Sequence, residues 1–509
     1  MKKTGDESIK QLLGESSSSL KMTPIRHIGR AIADLRNEMS VVGSIMGEPD
    51  HAVFSEGLLA AIRSKAQLLN YEQVKAIFQA EEKAKGNVSS IMTAEFRANA
   101  LFEALGLSKD QKSRAGGYGM TQGEADVLKT ITDIESKRFN TQVHTENVMI
   151  CNGGNHGMYC TLAALASKAR PIVVHEPCFP VYKDFAQVLD VPMTAIDTSK
   201  TNFVLRAEDL ENTVNATNGG KCIAVINYPN NPTSKHPDET ILKSYADVIE
   251  RCKDAFFIDD AIYAGLAHNG RPVTVSDFLS EEARERVITI RASTKEHSHA
   301  DARVGHVIAN TDVIQKMLPH AVYTGVHANR DAQRQYAADM AVFPERQQDI
   351  AKHYRDKVTS IQERLKNAGL VEVGREPEGG FFITLNLAAA KNKTLDNKAK
   401  KFLRTIGSEI PFADAENSTN VQNDYQAAAL LATKAGVPSV PLSAFYVNKP
   451  EEHAKDMRVR LTVTGEIEQL QEIATRLEAF QRWAQGQATP LDSQLFERVA
   501  QKPAKSAVR

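Results

Sequence analysis

Short apolar runs alternate with helical patterns along the middle of the chain, between residues 148 and 290. Each run has the length and composition of a buried strand, and turns and apolar positions at helical spacing come between the runs. The runs are VMI (148–150), IVV (172–174), IAVIN (223–227), AFFI (255–258) and VITI (287–290). This alternation predicts an α/β fold with a mostly parallel sheet and helices on both faces, in which ligands bind at the carboxyl ends of the strands.

The pattern changes after residue 345, and a chain of 509 residues is too long for one ordinary core. A charged helix is predicted over 345–368, and a terminal helix over 466–483. Between them, GGFFITLNL (379–387) and MRVRLTV (457–463) have the pattern of antiparallel strands, which predicts a smaller α+β domain. The predicted segments are an N-terminal extension (1–40), a segment with a helical insertion (71–105) that contributes to the small domain (41–110), a large domain (111–345), the small domain (346–490) and a polar tail (491–509).

The composition narrows the class of protein. Acidic and basic residues nearly cancel, for a formal net charge of −1, so nothing favours nucleic acid or an anionic membrane as a partner. The five cysteines are scattered without a CxxC pair, which fits reduced thiols better than disulfides or a zinc site. The first residues lack the apolar core of a signal peptide, and no run has the length of a membrane span. We therefore expect a cytoplasmic protein.

The segment ASTKEHSHADARVG (292–305) is the first candidate for chemistry. Lys295 follows a predicted strand among small side chains, which suits an amine that forms an imine with an aldehyde. Arg303 returns eight residues later, where its planar guanidinium could hold a phosphate. The alternative is a surface lysine beside a strand-edge arginine. Together the two residues suggest pyridoxal 5′-phosphate (PLP).

Two turns that follow predicted strands add candidate contacts. In CNGGNHGMY (151–159), Gly153 and Gly154 lead into a helix whose N-terminal N–H groups could bind an anion, although an ordinary tight turn has the same pattern. In EPCFP (176–180), Phe179 lies between prolines, either as core or as a flat face on which an aromatic ring stacks.

Two further strand ends carry polar residues. NYPNNPTS (227–234) predicts a rigid turn, in which the Asn231 side chain can donate a hydrogen bond and the Asn231–Pro232 bond is a candidate cis peptide. Asp259 and Asp260 end an apolar run, where a carboxylate is costly unless it is paired, and a protonated pyridine nitrogen would be a suitable partner. Tyr263 could reach the same ring, whereas Asp259 could simply cap a helix.

The order of these motifs resembles the class I/II aminotransferases of PLP fold type I, which are similar to aspartate aminotransferase. The resemblance covers residues 40–480. Its motifs in chain order are GEPD (47–50), the glycine-rich loop at 118–123, NGG (152–154), the proline-aromatic turn (176–180), NNPT (230–233), DDxxY (259–263), the lysine with an arginine eight residues later, GGFF (379–382) and a late RL pair (460–461).

The resemblance implies a role for each residue that would face the cofactor ring. Lys295 would be the Schiff-base lysine, which also moves a proton between the substrate α-carbon and the cofactor. Asp260 would pair with the pyridine nitrogen, and Asn231 and Tyr263 would hold the ring oxygen. Phe179 would stack on the ring.

The resemblance also implies phosphate, substrate and subunit contacts. Phosphate or other cofactor contacts fall to Gly153, Gly154, Asn155, Thr294 and Arg303. Tyr118 would reach the phosphate from the neighbouring subunit, so the active site would lie at the interface of a homodimer. Arg460, which matches the RL pair better than Arg458, would hold the substrate α-carboxylate by a bidentate pair, beside Gly47 and Asn231.

The chain departs from the family pattern near the lysine. Ala292 stands where the family has serine or glycine, so one phosphate hydroxyl is lost unless Ser293 or Thr294 supplies it. The segment EHSHADA (296–302) is unusually polar, and its His297 is a candidate auxiliary acid or base. We predict no metal site at His297 and His299, because two histidines without a third ligand are more often solvated or hydrogen-bonded.

The resemblance implies an aminotransferase that moves the amino group of an L-amino acid to a 2-oxo acid. The alternative is a PLP-dependent lyase or decarboxylase, since the shared machinery only forms the carbanion and other residues choose its fate. A non-catalytic regulator is disfavoured, because residues 1–40 are too short and too little basic for a DNA-binding module. Residues 323–329 contain no arginine for a side-chain carboxylate, which favours neutral or aromatic substrates over aspartate.

Overall fold

The computed structural model describes residues 118–342, 346–406 and 417–487, together with residues 28, 31, 32, 35, 36, 39, 41, 42, 75, 76 and 79. Within these residues, the strands form one large and one small sheet. The strands are β1 (Val148–Cys151), β2 (Ile172–Glu176), β3 (Met193–Asp197), β4 (Ile223–Ile226), β5 (Phe256–Asp260), β6 (Val287–Ala292), β7 (Gly305–Ile308), β8 (Phe382–Asn386), β9 (Val440–Pro441) and β10 (Arg458–Thr462).

Helices connect most of these strands. The α-helices are α1 (Ala125–Phe139), α2 (Gly154–Leu165), α3 (Val181–Val188), α4 (Ala207–Ala216), α5 (Glu239–Arg251), α6 (Glu281–Arg284), α7 (Ser293–Glu296), α8 (Thr311–Gly325), α9 (Arg330–Val342), α10 (Arg346–Asn367), α11 (Asn397–Ile406), α12 (Asp424–Ala435), α13 (Pro450–His453) and α14 (Ile467–Ala484). The short 3₁₀ turns that matter below are Ala264–Leu266 and Val275–Phe278.

The large sheet confirms the predicted α/β fold. Its strand order is β1-β7-β6-β5-β4-β2-β3, with parallel pairing from β6 through β3. Only β7 runs antiparallel to its neighbours, β1 and β6. Val173 and Val174 of β2 belong to two different apolar cores, so both faces of the sheet are covered.

Two strands of this sheet were not predicted. β3 lies at the sheet edge, and its partly exposed sequence MTAID lacks the continuous apolar run of a buried strand. β7 reads GHVI, so glycine and histidine interrupt its apolar pattern. Its antiparallel direction depends on the loop from 297 to 304, which returns the chain beside β6.

The small sheet confirms the predicted α+β part of the fold. Its order is β8-β10-β9, and both pairs are antiparallel. The predicted helices correspond to α10 and α14, with each boundary moved by one residue. The core around this sheet also contains Ile28, Ala31, Ile32 and Leu35. The proposed division of the chain into segments stays a prediction.

The topology brings the carboxyl ends of three neighbouring strands together. Asn227 follows β4, Asp260 ends β5, and Lys295 lies in the turn after β6. The strands β4, β5 and β6 are adjacent and parallel, so these residues meet at one edge of the sheet. This is the edge at which parallel α/β sheets bind ligands.

One local prediction was wrong, and several positions lie outside the described residues. The cis peptide bonds are Glu176–Pro177 and Tyr228–Pro229, so Asn231–Pro232 is trans. In the turn after β4, the cis bond therefore lies three residues before the predicted one. GEPD with Gly47 and the polar tail lie outside the described residues. So does the predicted insertion, except for residues 75, 76 and 79. Among the described helices, none is long and apolar enough to cross a membrane.

Candidate active site

Lys295 and Tyr263 lie on the same side of the sheet edge. The Lys295 Nζ is 6.0 Å from the centroid of the Tyr263 ring and 5.9 Å from that of Phe381. Lys295 is partly buried in the one-turn helix α7, directly after β6. The structure therefore brings together the amine and the phenol that the sequence predicted at separate strand ends.

Arg303 lies against the glycine turn that begins α2. A Cβ atom on Gly153 would stand 2.6 Å from Arg303 Nη2, and the φ of Gly153 is +79°, a conformation that favours glycine. A Cβ on Gly154 would stand 2.4 Å from Ile262 Cδ1, which packs under the same turn. The first amides of a helix have no acceptor within the helix. The turn and the arginine thus form a cationic cradle with free N–H groups, which fits a phosphate.

The hydroxyl groups near this cradle differ in their environment. The Ser293 hydroxyl is fully buried and donates to the carbonyls of Val304, at 3.1 Å, and of His299, at 3.3 Å. It therefore holds the loop between β6 and β7. Thr294 is partly exposed, and Asn155 is exposed in the first turn of α2. Of the two hydroxyls proposed to replace the missing one, this geometry favours Thr294.

Asp260 is buried beside Tyr182, a residue that the sequence motifs did not identify. The Tyr182 hydroxyl donates to Asp260 Oδ2, and the Ile262 N–H donates to Oδ1 at 3.4 Å. Burial raises the pKa of Asp260 to about 6. Phe179 is partly exposed, and its ring meets the Tyr182 ring edge-on at 5.8 Å. The signal for Tyr182 was its place three residues after Phe179.

Asp259 points to the other face of the sheet, because successive strand residues alternate. Its Oδ2 accepts from Thr274 Oγ1 at 2.6 Å and from the Ser276 N–H at 3.2 Å. These bonds hold the 3₁₀ turn Val275–Phe278. Asp259 therefore caps this turn, which agrees with the alternative interpretation of Asp259 as a capping residue.

Asn231 and Arg460 contact each other across the two sheets. Arg460 Nη1 donates to Asn231 Oδ1 at 2.8 Å, and its guanidinium lies 4.3 Å from the centroid of the Phe382 ring. With its oxygen engaged, Asn231 presents its amide NH₂ as a donor. Burial lowers the pKa of Arg460 to about 10. Asn227 completes the link, because it accepts from the Asn231 N–H and donates to the Asp260 carbonyl.

Arg458 has a different environment from Arg460. It donates to Glu372 and to Asp456 Oδ2, at 2.7 Å for the latter. Its charge is therefore matched by carboxylates of the protein. Arg460, in comparison, is buried beside the Asn231 amide and the Phe382 ring.

The remaining candidates lie away from the strand ends. Tyr118 is 88 % exposed, and its ring meets that of His327 edge-on at 6.2 Å. His297 is buried, with its ring 5.6 Å from that of Tyr336, and its role as an auxiliary acid or base stays a prediction. His299 Nε2 lies 3.3 Å from Asp301. No cluster of three or more potential metal ligands occurs in the part of the chain that the structure describes.

Comparisons with known proteins agree with this geometry. The family model "Aminotransferase class I and II" matches residues 81–477. The aspartate aminotransferase of Pyrococcus horikoshii is 24% identical over 275 residues, which cover 53% of this chain and 68% of the relative. The (5-formylfuran-3-yl)methyl phosphate transaminase of Methanocaldococcus jannaschii is 23% identical over 283 residues, which cover 55% of this chain and 70% of the relative.

Solved structures support the same fold. The aspartate aminotransferase from Thermus thermophilus with maleate superposes with a TM-score of 0.67 at 17% identity, over 92% of this chain and 99% of that one. The enzyme from Rhizobium meliloti gives a TM-score of 0.67 at 16% identity, over 92% and 98%. The fold is that of an aspartate aminotransferase. The chain belongs to the aminotransferase class I and II family, and the predicted resemblance is confirmed. It is therefore an enzyme that transfers amino groups, in a family that uses PLP.

Proposed function

We propose that this chain is an aminotransferase in which Lys295 holds PLP and moves the proton at the substrate α-carbon. The observation that carries the proposal is the meeting of an amine, an anion cradle and a buried carboxylate at neighbouring elements of one sheet edge. These are Lys295, the Gly153–Arg303 cradle and Asp260. An aldehyde, a phosphate and a basic ring nitrogen are the matching groups of PLP.

The buried groups fit this cofactor electrostatically. Burial raises the pKa of Asp260 to about 6, so a cation beside this carboxylate would stabilise its charged form. A protonated pyridine nitrogen is such a cation. The cradle at the start of α2 supplies a guanidinium and backbone N–H groups for a dianionic phosphate. Both ends of the cofactor therefore have a counterpart in the chain.

When bound, PLP would supply an electron sink for the negative charge that develops at the substrate α-carbon. Asp260, oriented by the Tyr182 hydroxyl, would keep the ring nitrogen protonated. Asn231 and Tyr263 would donate to the ring oxygen, and Phe179 would lie on the ring face.

Lys295 would act as the base and acid at the α-carbon, because its amine is the flexible group between the ring-holding residues. Arg460 would hold the substrate α-carboxylate with its planar guanidinium, beside the Asn231 amide that it already contacts. Gly47, which lies outside the described residues, stays a predicted substrate contact.

The proposed assembly is a homodimer with Tyr118 reaching the partner's phosphate site. The 88 % exposure of Tyr118 supports this, as does the 89 % exposure of Tyr323 and the 68 % exposure of Met120 on the same chain. We also propose a cytoplasmic location, which the five buried, unpaired cysteines support.

The substrate class is proposed to be amino acids with neutral or aromatic side chains. Residues 323–329 contain no arginine, and Arg330 Nη2 is paired with Glu124 at 3.0 Å. Several relatives are named aspartate aminotransferases, and one is named a probable kynurenine–oxoglutarate transaminase. A panel of amino-acid donors should therefore include aspartate, for comparison with the neutral and aromatic amino acids.

The test is the visible absorbance of the purified, PLP-loaded protein. We expect a donor amino acid alone to remove the absorbance and a 2-oxo acid to restore it, with the donor converted to its oxo acid. Release of ammonia or carbon dioxide without dependence on a 2-oxo acid would instead favour a lyase or decarboxylase. Failure to bind PLP at all would reject the proposal.

A further inference from the structure

A group of buried ionisable residues includes Glu296, which follows Lys295 directly in α7. We name it the rear cluster, and its members are Glu135, Arg291, Glu296 and His306. None of the four is more than 3% exposed. They come from α1, β6, α7 and β7, and Arg291 and His306 are direct partners in the β6–β7 register. The polar character of the segment after Lys295 thus continues into the protein interior.

The charges of the rear cluster face one another. Arg291 Nη2 donates to both oxygens of Glu296, at 2.9 and 2.8 Å. Arg291 Nε lies 3.6 Å and His306 Nε2 lies 3.5 Å from Glu135 Oε1. Outside the cluster, Arg138 of α1 acts on both carboxylates. Such a group is costly to bury, and apolar residues of similar volume often give equal or better stability.

Glu296 makes one contact that the ion pairs do not require. Its Oε1 also accepts from the Gly265 N–H at 2.8 Å. Gly265 lies in the 3₁₀ turn Ala264–Leu266, which begins directly after Tyr263 and has no side-chain cap of its own. The Glu296 carboxylate therefore caps this turn from another part of the chain. It joins the turn that carries Lys295 to the turn that follows Tyr263.

The raised pKa of Glu296 indicates that burying its carboxylate costs free energy. Burial raises the pKa of Glu296 to about 8, while Arg138 and the Gly265 N–H act in the opposite direction. Burial would also raise the pKa of Glu135, but His306 and Arg138 outweigh it and lower that pKa. The Glu296 side chain thus lies among ionisable groups of α1, β6 and β7.

We propose that Glu296 is a positioning residue, which fixes Lys295 relative to Tyr263 through its bond to Gly265. The inference rests on the proposed function, because it assigns Lys295 and Tyr263 to the cofactor. The amine and the phenol approach the same ring, so a shift of either turn changes their separation and the proton affinity of the bound cofactor. Arg291, which donates to both oxygens of Glu296, holds this side chain in place.

The test uses two isosteric double variants, R291M/E296Q and R291M/E296M. Both remove the buried ion pair, which apolar replacement should tolerate. Glutamine keeps an acceptor for the Gly265 N–H, whereas methionine of similar size does not. The PLP-loaded proteins are compared by the pH titration of their visible absorbance, by PLP dissociation and by kcat and KM.

We expect R291M/E296Q to keep the titration midpoint of the wild type. R291M/E296M should shift that midpoint by about one pH unit, since a lost or altered hydrogen bond changes proton affinity by this order. It should also lose about 10²-fold in kcat/KM, the effect of a displacement of about 1 Å. Equal midpoints and equal kcat/KM in the two variants would overturn the proposal. A purely structural role would lower both melting temperatures and leave the midpoint unchanged.

A single substitution, Glu296→Asp, gives a second route should the methionine variant fail to fold. It keeps the charge beside Arg291 but shortens the reach to Gly265 by one methylene. The same midpoint shift is expected, and a wild-type midpoint would overturn the proposal. Wild-type protein that binds no PLP would instead reject the proposed function, so the two failures are distinguishable.

Discussion

The two sides of Lys295 handle buried charge in opposite ways. We call Asp260, Tyr182, Asn231, Arg460 and Tyr263 the front cluster. In it, Asp260 accepts from a phenol, and Arg460 donates to an amide and lies over an aromatic ring. In the rear cluster, carboxylates lie within 3.6 Å of basic nitrogens.

This difference distinguishes residues that bind a ligand from residues that hold those binding residues in position. Burial moves the pKa of Asp260 up to about 6 and that of Arg460 down to about 10, so both shift towards their neutral forms. A cation at the carboxylate and an anion at the guanidinium would reverse these shifts. A protonated ring nitrogen and an α-carboxylate are those ions in an aminotransferase. In the rear cluster, in contrast, a guanidinium of the chain itself, that of Arg291, lies 2.8 Å from Glu296 Oε2.

Lys295→Ala should give the largest effect, because it removes the group between the two clusters. We expect a loss of at least about 10⁴-fold in kcat, the upper range for a general acid–base group. The visible absorbance of PLP bound covalently to the protein should also disappear. Lys253→Ala is the control, since Lys253 pairs with Glu282 on the surface. Unchanged absorbance in the Lys295 variant would remove the core of the proposal.

Asp260→Asn and Asp259→Asn form a matched pair on adjacent residues. The first should lower kcat/KM by about 10²–10³-fold, as expected for one preorganised electrostatic group. The second should leave kcat/KM within about twofold but cost about 1–3 kcal/mol of unfolding free energy, because it disturbs the bonds to Thr274 and Ser276. Steady-state kinetics and urea unfolding measure the two effects. The reverse pattern would exchange the roles of the two carboxylates.

Arg460→Lys tests the substrate side of the front cluster. A lysine keeps the charge but loses the planar fork, so kcat/KM for the amino acid should fall about 10²-fold, mainly through KM. Arg458→Lys is the control, because Arg458 is already paired with Glu372 and Asp456. A larger rise in KM for the Arg458 variant would move the carboxylate site to that residue.

The smallest expected effect is on the pH dependence of the unfolding free energy, which should differ between the two clusters. Folded apoprotein holds the proton of Asp260 up to a pKa of about 6, above the ordinary aspartate pKa of 3.8, so it binds more protons than the unfolded chain. Stability from this group is present below pH 3.8 and is lost as the pH rises to 6, by about 3 kcal/mol. PLP binding should cancel this loss, because the ring nitrogen pairs with the ionised carboxylate.

Glu296 should behave differently: burial raises its pKa as well, so its contribution to stability is also lost as the pH rises, but this loss does not depend on PLP. Urea unfolding of apoprotein and PLP-loaded protein at pH 4, 6 and 8 measures both contributions. Asp260→Asn is the control that removes the front contribution alone. An identical pH dependence with and without PLP would argue against cofactor pairing at Asp260.

The sequence by itself determined the elements and most of the residues at their ends. The apolar runs predicted five strands of the large sheet, because buried parallel strands need continuous apolar residues. Local spacing marked Lys295, Arg303, Asn231 and the pair Asp259–Asp260 as candidates, since each follows a strand or a turn with its own composition. The edge strand β3 was missed because it has no continuous apolar run, and β7 was not predicted as a strand because glycine and histidine interrupt the apolar residues there.

Only the tertiary structure decided which side chains meet. Asn231 and Arg460 are 229 residues apart in the chain, and Tyr182 reaches Asp260 across 78 residues. The alternation of a strand sends Asp259 and Asp260 to opposite faces, which spacing alone did not assign. Glu296 meets Gly265 because β6 lies beside β5 in the sheet. Periodicity encodes elements locally, whereas these contacts depend on strand order and register, which pack distant parts of the chain together.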